Sequence, residues 1–117
     1  MSSDPECLFC KIVAGQVPAT VVLKNDQVTV FRDINPQMAT HVLIVPNTHI
    51  ANTEALEPSD DALVGAVVRT AREVARMEGL SERGYRLVIN TGPDALNSVA
   101  HLHAHVLGGR QMTWPPG

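Results

Sequence analysis

This sequence predicts an α+β fold, a five-stranded antiparallel sheet with one long and one short helix, and three observations lead there. Five short runs of β-branched and aliphatic residues follow one another, most of them separated by brief turn-forming segments. One long stretch after Pro58 carries apolar residues at helical spacing. Near the C-terminus, His101-Leu102-His103-Ala104-His105-Val106-Leu107 alternates in strict period two, as a strand with two different faces requires.

Taken in order, residues 1–6 read as a loose tail. Leu8, Phe9, Ile12 and Val13 then fall at helical spacing, and Gly15 is a fitting stop for a short helix. Val21-Val22-Leu23 and Gln27 to Asp33 read as two strands of a hairpin turned at Asn25-Asp26. His41 to Pro46 is almost continuously apolar, which predicts a buried strand closed by proline. The long helix is expected to open with Ser59 as N-cap and two acids, Asp60 and Asp61, in its first turn. Its buried stripe is expected to be Leu63, Ala66, Val67, Thr70, Val74 and Met77, with Arg69 and Glu73 at i,i+4 spacing on a solvated face and Gly79 as the left-handed cap. Tyr85 to Asn90 is the fourth strand, residues 91–98 form a loop, and the histidine segment is the fifth strand. Residues 108–117 end the chain as an extended tail, whose Trp114 and paired prolines suggest docking, with a second subunit as one candidate surface.

Length and composition narrow the function. A chain of 117 residues is one domain's worth, and 44% hydrophobic with 18% charged residues is ordinary for a globular protein. The net charge of −3, with no Lys/Arg cluster along the sequence, speaks against nucleic acid as a partner. No apolar run is long enough to span a membrane and no leader pattern is present, so the expectation is a cytoplasmic protein with no membrane partner. Cys7 and Cys10 form a C-x-x-C pair; a redox pair, half of a zinc site and two plain buried thiols all fit it.

The chemistry is expected on the histidine stretch. On one strand His101, His103 and His105 would share a face at roughly 6.7 Å spacing, while Leu102, Ala104 and Val106 enter the core. Three imidazoles on one face are costly to bury unless each is hydrogen-bonded. Two uses suit them. H-x-H on a strand is a metal-chelating spacing, although no acid follows Asp94 to complete such a site. Alternatively the middle, neutral imidazole attacks phosphorus while its neighbours hold its tautomer; the upstream Gly92, Asn97 and Ser98 supply groups suited to phosphate oxygens.

His-Leu-His-Ala-His-Val-Leu resembles the signature of the histidine-triad (HIT) superfamily. Cys7-Leu-Phe-Cys-Lys-Ile, Phe31-Arg-Asp-Ile-Asn-Pro-Gln, Thr40-His-Val-Leu-Ile-Val-Pro, Gly84-Tyr-Arg-Leu-Val-Ile-Asn and Leu107-Gly-Gly-Arg-Gln-Met-Thr-Trp-Pro-Pro-Gly resemble its Hint branch in the same order, from Cys7 to Gly117. The resemblance implies a single HIT domain over 1–117, a homodimer, and a purine nucleoside phosphoramidase that cleaves AMP conjugates such as adenosine 5′-phosphoramidate and aminoacyl adenylates, with no cofactor required for catalysis. By motif position it implies His103 as nucleophile, forming a nucleotidyl-histidine. His101, His105 and His41 would support that ring and the α-phosphate site, and Ser98 would assist the leaving amine. Asn90 and Asn97 would line the phosphate region, Asp33 would accept from the ribose, Leu8, Phe9, Ile12, Ile34 and Leu43 would form an apolar slot for the base, and Val99 would also touch the substrate.

Some bacterial members of that family bind zinc at four positions that here are Cys7, Cys10, His49 and His101, a set suited to structural zinc. Two departures bear on substrate preference. Ala95, Leu96 and Asn97 stand where the family loop is richer in glycine and carries glutamine, and Arg32 stands where histidine is common. Two other readings compete with the phosphoramidase: a metal-dependent hydrolase using the histidine strand, and a non-catalytic purine-nucleotide-binding module.

Overall fold

The computed structural model describes residues 3–117. Its sheet has five strands: β1 (Val21–Lys24), β2 (Val28–Arg32), β3 (Thr40–Pro46), β4 (Arg86–Val88) and β5 (Ala104–Gly108). They lie in the order β1-β2-β3-β5-β4, and every neighbouring pair is antiparallel. Two α-helices complete the architecture, α1 (Leu8–Val13) and α2 (Asp61–Met77). This is the α+β arrangement that the sequence pattern predicts.

Period two on the central strand decides what each face of the sheet does. Val42 and Ile44 of β3, with Val28, Val30, Ala104 and Val106, pack beneath Val67, Ala71 and Val74 of α2. On the opposite face Phe31, Leu43 and Val45 pack with Phe9, Cys7 and Cys10 at α1. Each fully buried aliphatic side chain contributes about 1.5–3 kcal/mol, so this double cover makes β3 the anchor of the fold. His41 alternates with Val42 and therefore lies on the α1 side, opposite the helix-covered core.

The hairpin is turned by Asn25, whose side-chain oxygen accepts from the backbone N–H of Gln27 at 2.8 Å and of Val28 at 2.9 Å. Helix α1 starts at Cys7, whose sulfur accepts from the Cys10 N–H at 3.4 Å. Helix α2 ends as expected: Gly79 sits at φ +74°, the Leu80 N–H reaches the Ala75 carbonyl, and the Gly79 N–H reaches that of Arg76. Gly109, at φ +115°, has to lack a Cβ, because one built there would stand 2.9 Å from that of Ala39.

Several local expectations are corrected. Met1 and Ser2 lie outside the described residues, but the supposed loose tail is in part a turn, because the Asp4 carbonyl accepts from the Cys7 N–H. Ser59 is not the N-cap. Pro58–Asp60 form a 3-10 turn whose reciprocal cap joins Glu57 and Asp60, since proline's fixed φ begins the turn one residue earlier. Met77 is 54% exposed, and the small Ala71 and Ala75 take the buried positions instead, letting the helix approach the sheet. Arg69 and Glu73, by contrast, behave as the solvated surface expected of them and form no ion pair within 4.0 Å among the described residues.

The histidine strand is shorter than its alternation predicts. Regular pairing starts only at Ala104, so of the three histidines His105 alone lies within β5. Pro46, which ends β3, has no N–H for the ladder, and its carbonyl accepts instead from His101 Nε2 at 2.8 Å. The Leu102 N–H turns to the Ile50 carbonyl. After β5 the tail crosses Arg86, which donates to the Thr113 carbonyl at 2.7 Å and stacks 5.6 Å from the Trp114 ring centre.

Candidate functional site

Five imidazoles gather on the α1 side of the sheet, and backbone groups sort them into two sets. One set is the row His41, His105 and His103. A backbone N–H can only donate, so the Gln37 amide, 3.1 Å from His41 Nδ1, makes that nitrogen an acceptor. His41 therefore carries its proton on Nε2 and donates it to His105 Nδ1 at 2.9 Å, with the Asp33 carboxylate at 3.4 Å. His105 in turn keeps its proton on Nε2.

His103 is oriented differently. Its Nδ1 lies 2.7 Å from the His101 carbonyl, to which it must donate, so that in the neutral ring Nε2 is the nitrogen with the free lone pair. The edge of the Phe9 ring system holds the imidazole in place, 5.0 Å between centroids and nearly perpendicular. His103 and His105 ring centres are 5.1 Å apart. Burial, then the neighbouring His103 and His41, hold the His105 pKa down to about 4 against the opposing pull of Asp33. Near neutral pH that ring is therefore uncharged.

The second set is Cys7, Cys10, His49 and His101. Because His101 Nε2 donates to Pro46, its Nδ1 is unprotonated. That nitrogen faces Cys7 Sγ at 3.4 Å, Cys10 Sγ at 3.5 Å and His49 Nδ1 at 3.3 Å. Cys10 Sγ is 3.3 Å from His49 Nδ1, and all four donor atoms lie within 4.8 Å of one another. Zinc bonds of about 2.3 Å to sulfur and 2.0 Å to nitrogen give tetrahedral edges of about 3.3–3.8 Å, so these donors fit a zinc ion. The unprotonated Nδ1 of His101 and the burial of that residue suit the same ion. Burial raises the Cys10 thiol and lowers the His101 imidazole; a divalent cation at the centre would offset the charge of a thiolate pair.

The remaining sequence-predicted residues are placed less uniformly. Phe9 and Leu43 are buried beside the imidazole row, with Ile12 and Val99 half-buried against them. Leu8, Ser98 and Val99 line a surface hollow of about 390 Å³ together with Asp4, Glu6, Cys7 and Ala100. Asp33 and Ile34 border a different hollow, of about 380 Å³. Ile34 is 97% exposed and so stands in solvent, apart from the apolar group it was expected to join. Asp33 turns one oxygen to the Asn35 N–H at 2.8 Å and the other to His41. Asn90 is half-buried at the end of β4, and Asn97 has a buried side-chain oxygen with no hydrogen-bond partner.

The loop departure has a conformational counterpart. Leu96 adopts φ +59°, ψ 35°, the left-handed region that favours glycine, and is 84% exposed. Arg32 binds Glu78 through both terminal nitrogens, at 2.6 and 3.2 Å, joining the end of β2 to the end of α2. Sequence reasoning missed the roles of the Gln37 amide, the Pro46 carbonyl and the His101 carbonyl. No residue-type signal marks them, since any amino acid presents such groups.

Comparison with known proteins gives consistent results. Residues 14–112 match the model of the HIT domain family. The chain is 46% identical over 116 residues to a 14 kDa zinc-binding protein of Zea mays, covering 97% of this chain and 90% of that one. It is 44% identical over 117 residues to the adenylylsulfatase HINT1 of Arabidopsis thaliana, covering 98% and 79%. The crystal structure of a HIT family hydrolase from Legionella pneumophila superposes with a TM-score of 0.94 at 50% identity, covering 96% of this chain and all of that one.

Proposed function

The chain belongs to the HIT domain family, whose members similar to it include hydrolases, and on that premise we propose that it is a nucleotide phosphoramidate hydrolase acting through a nucleotidyl-histidine. The observation that carries this reading is the hydrogen bond from His103 Nδ1 to the His101 carbonyl, which leaves Nε2 as a neutral nucleophile with its ring already oriented.

In the first step Nε2 attacks the α-phosphorus of an adenosine 5′-phosphoramidate or aminoacyl adenylate. The new N–P bond forms as the bond to the leaving group breaks. From the phosphoramidate (P–N bond broken) an amine leaves with a proton that Ser98 helps deliver, and from the aminoacyl adenylate (P–O bond broken) the amino acid leaves as its carboxylate. Water then attacks the same phosphorus, the histidine–phosphorus bond breaks, and AMP departs with His103 returned to its neutral state. The Nε2–H of His105 and the imidazole of His41 behind it supply polar support without placing a second full charge beside the nucleophile. Asn90 and Asn97 serve the phosphate through their amide nitrogens, Asp33 the ribose, and Phe9, Ile12 and Leu43 the base; the orphaned Asn97 oxygen is an acceptor and suits an N–H of the leaving amine.

Catalysis in this reading requires no cofactor. Cys7, Cys10, His49 and His101 hold a structural zinc, which when bound ties α1 to the loop ahead of β5. The reading includes a homodimer and a cytoplasmic setting. Support for the dimer is the unpaired outer edge of β4, with Val68 and Ile89 exposed at 49% and 41% beside it. Among the described residues no helix is long and apolar enough to cross a membrane.

A second reading rests on the relative named as an adenylylsulfatase: the same attack would release sulfate from adenylyl sulfate. A third, a metal-dependent hydrolase, draws on the convergence of Asp33, His41 and His105. The decisive experiment is rapid quenching during turnover of an adenosine phosphoramidate, followed by peptide mass measurement. An adenylyl group on His103 is expected. Turnover with no labelled histidine, or turnover lost to chelator and restored by zinc, rejects the proposal.

A further inference from the structure

The arginines of α2 look scattered in sequence, at positions 69, 72 and 76. Steps of three and four residues match the 3.6-residue turn, so the helix brings all three to one flank. The fold sets that flank beside the β1–β2 hairpin, where Arg69, Arg72 and Arg76 line a groove of about 370 Å³ with Asn25, Gln27 and Thr70.

The positive charge in this groove is not answered from within the chain. Among the described residues no carboxylate comes within 4.0 Å of any of the three guanidinium groups, and none of them donates a hydrogen bond to a protein acceptor. Glu73 is the one acid lining the groove, and Asp26 sits in the hairpin turn next to Asn25 and Gln27. The hairpin adds donors of its own. Asn25 spends its side-chain oxygen and its carbonyl on Gln27, Val28 and Asn47, so its amide nitrogen is what remains to offer.

We propose that this groove binds a short polyphosphate chain, either free or as the tail of a nucleoside triphosphate, at a site separate from the imidazole row. Guanidinium forks match pairs of phosphate oxygens, and three of them spread over about 10 Å of helix suit several linked phosphates rather than a single carboxylate. Nucleic acid would draw its affinity from a broad basic surface, whereas this chain has a net charge of −3 and gathers three of its seven arginines in this one groove. The site is independent of the proposed hydrolysis. It lies on the face of the sheet covered by α2, through Val67, Ala71 and Val74, and the imidazoles occupy the other face.

The test titrates the full chain with sodium tripolyphosphate at low ionic strength, followed by calorimetry and by amide NMR spectra. Saturable shifts are expected at residues 25–27 and 66–76, with or without excess AMP, and ATP should shift the same amides. Arg69→Gln, Arg72→Gln and Arg76→Gln together should weaken tripolyphosphate at least about tenfold, since each removes charge-assisted hydrogen bonds. Glutamine keeps helix propensity, so the fold should survive. The double variant Arg83→Gln and Arg110→Gln, which removes charge around another hollow, should leave affinity unchanged. The proposal is overturned by shifts confined to residues 101–105, by displacement with AMP, by an equal loss in the control variant, or by tighter binding of a single-stranded oligonucleotide in the same groove.

Discussion

His101 and His103 stand two residues apart and present opposite ring nitrogens. His101 gives its Nε2 proton to the Pro46 carbonyl and turns a bare Nδ1 toward two cysteines and His49. His103 gives its Nδ1 proton to the carbonyl of His101 itself and keeps a bare Nε2. One surrounding is a buried donor set suited to a metal, the other a row of imidazoles. The difference shows that a histidine's chemical role follows from which backbone acceptor its ring can reach, because that choice fixes the tautomer. It also shows that the two sites share a part, since the residue that offers a metal ligand also holds the proposed nucleophile in register.

The strongest way to break this comparison is to exchange the two roles. His103→Ala should lower turnover of an adenosine phosphoramidate by at least about a thousandfold with little loss of Tm, as removal of a nucleophile does. His101→Ala should do the reverse in emphasis, with a large fall in Tm and in bound zinc. Equal kinetic losses in both variants would erase the distinction.

Metal removal probes the second region alone. Zinc analysis should find one ion per chain, and Cys7→Ser with Cys10→Ser should abolish it. Denaturant unfolding should then lose about 3 kcal/mol, the linkage expected for an ion held at a few hundred times its dissociation constant. Turnover should survive chelation in large part. An unchanged midpoint on chelation would remove the structural role.

A pH series sharpens the first region. His105 has a folded pKa of about 4, below the ordinary histidine value of 6.5, so between those values the unfolded chain holds a proton that the native chain lacks. Stability from this group is therefore present above about pH 6.5 and is lost as pH falls toward 4. Thermal melts should show that His105→Gln flattens the acid limb relative to the wild type; parallel curves would contradict the buried neutral ring.

The smallest effect is expected in the loop that leads into both sites. Leu96 is exposed and left-handed, so Leu96→Gly should raise stability by about 1 kcal/mol in urea titrations by relieving its backbone. A destabilised variant would mean that the leucine side chain makes a contact worth more than the strain.

Much of this architecture can be read along the chain because it depends on local periodicity. The five apolar runs, the helical stretch ending at Gly79 and the hairpin at Asn25-Asp26 are local, and each is found where pattern and turn chemistry place it. The Cys7, Cys10, His49 and His101 set was legible through family resemblance, and the fold brings those four donors together. Other features depend on distant partners. The alternation at 101–107 suggests an unbroken strand, yet Pro46 on a neighbouring strand withholds the N–H that pairing at Leu102 would need. The arginine cluster is invisible until a helix folds the sequence back every 3.6 residues and a hairpin closes one side. Ile34 reads by resemblance as part of one apolar slot with Phe9 and Leu43; the fold sets it exposed beside Asp33 on a separate hollow.

By itself, then, the sequence determined which residues alternate, which faces are apolar, where the chain turns, and which side chains are able to bind metal or attack phosphorus. Those properties belong to single residues and to spacings of two to four. Only the tertiary structure decided which nitrogen of His41, His101, His103 and His105 carries the proton, because the deciding partners trace back to backbone groups such as the Gln37 amide and the Pro46 carbonyl, which are common to the chain and which only folding brings within reach.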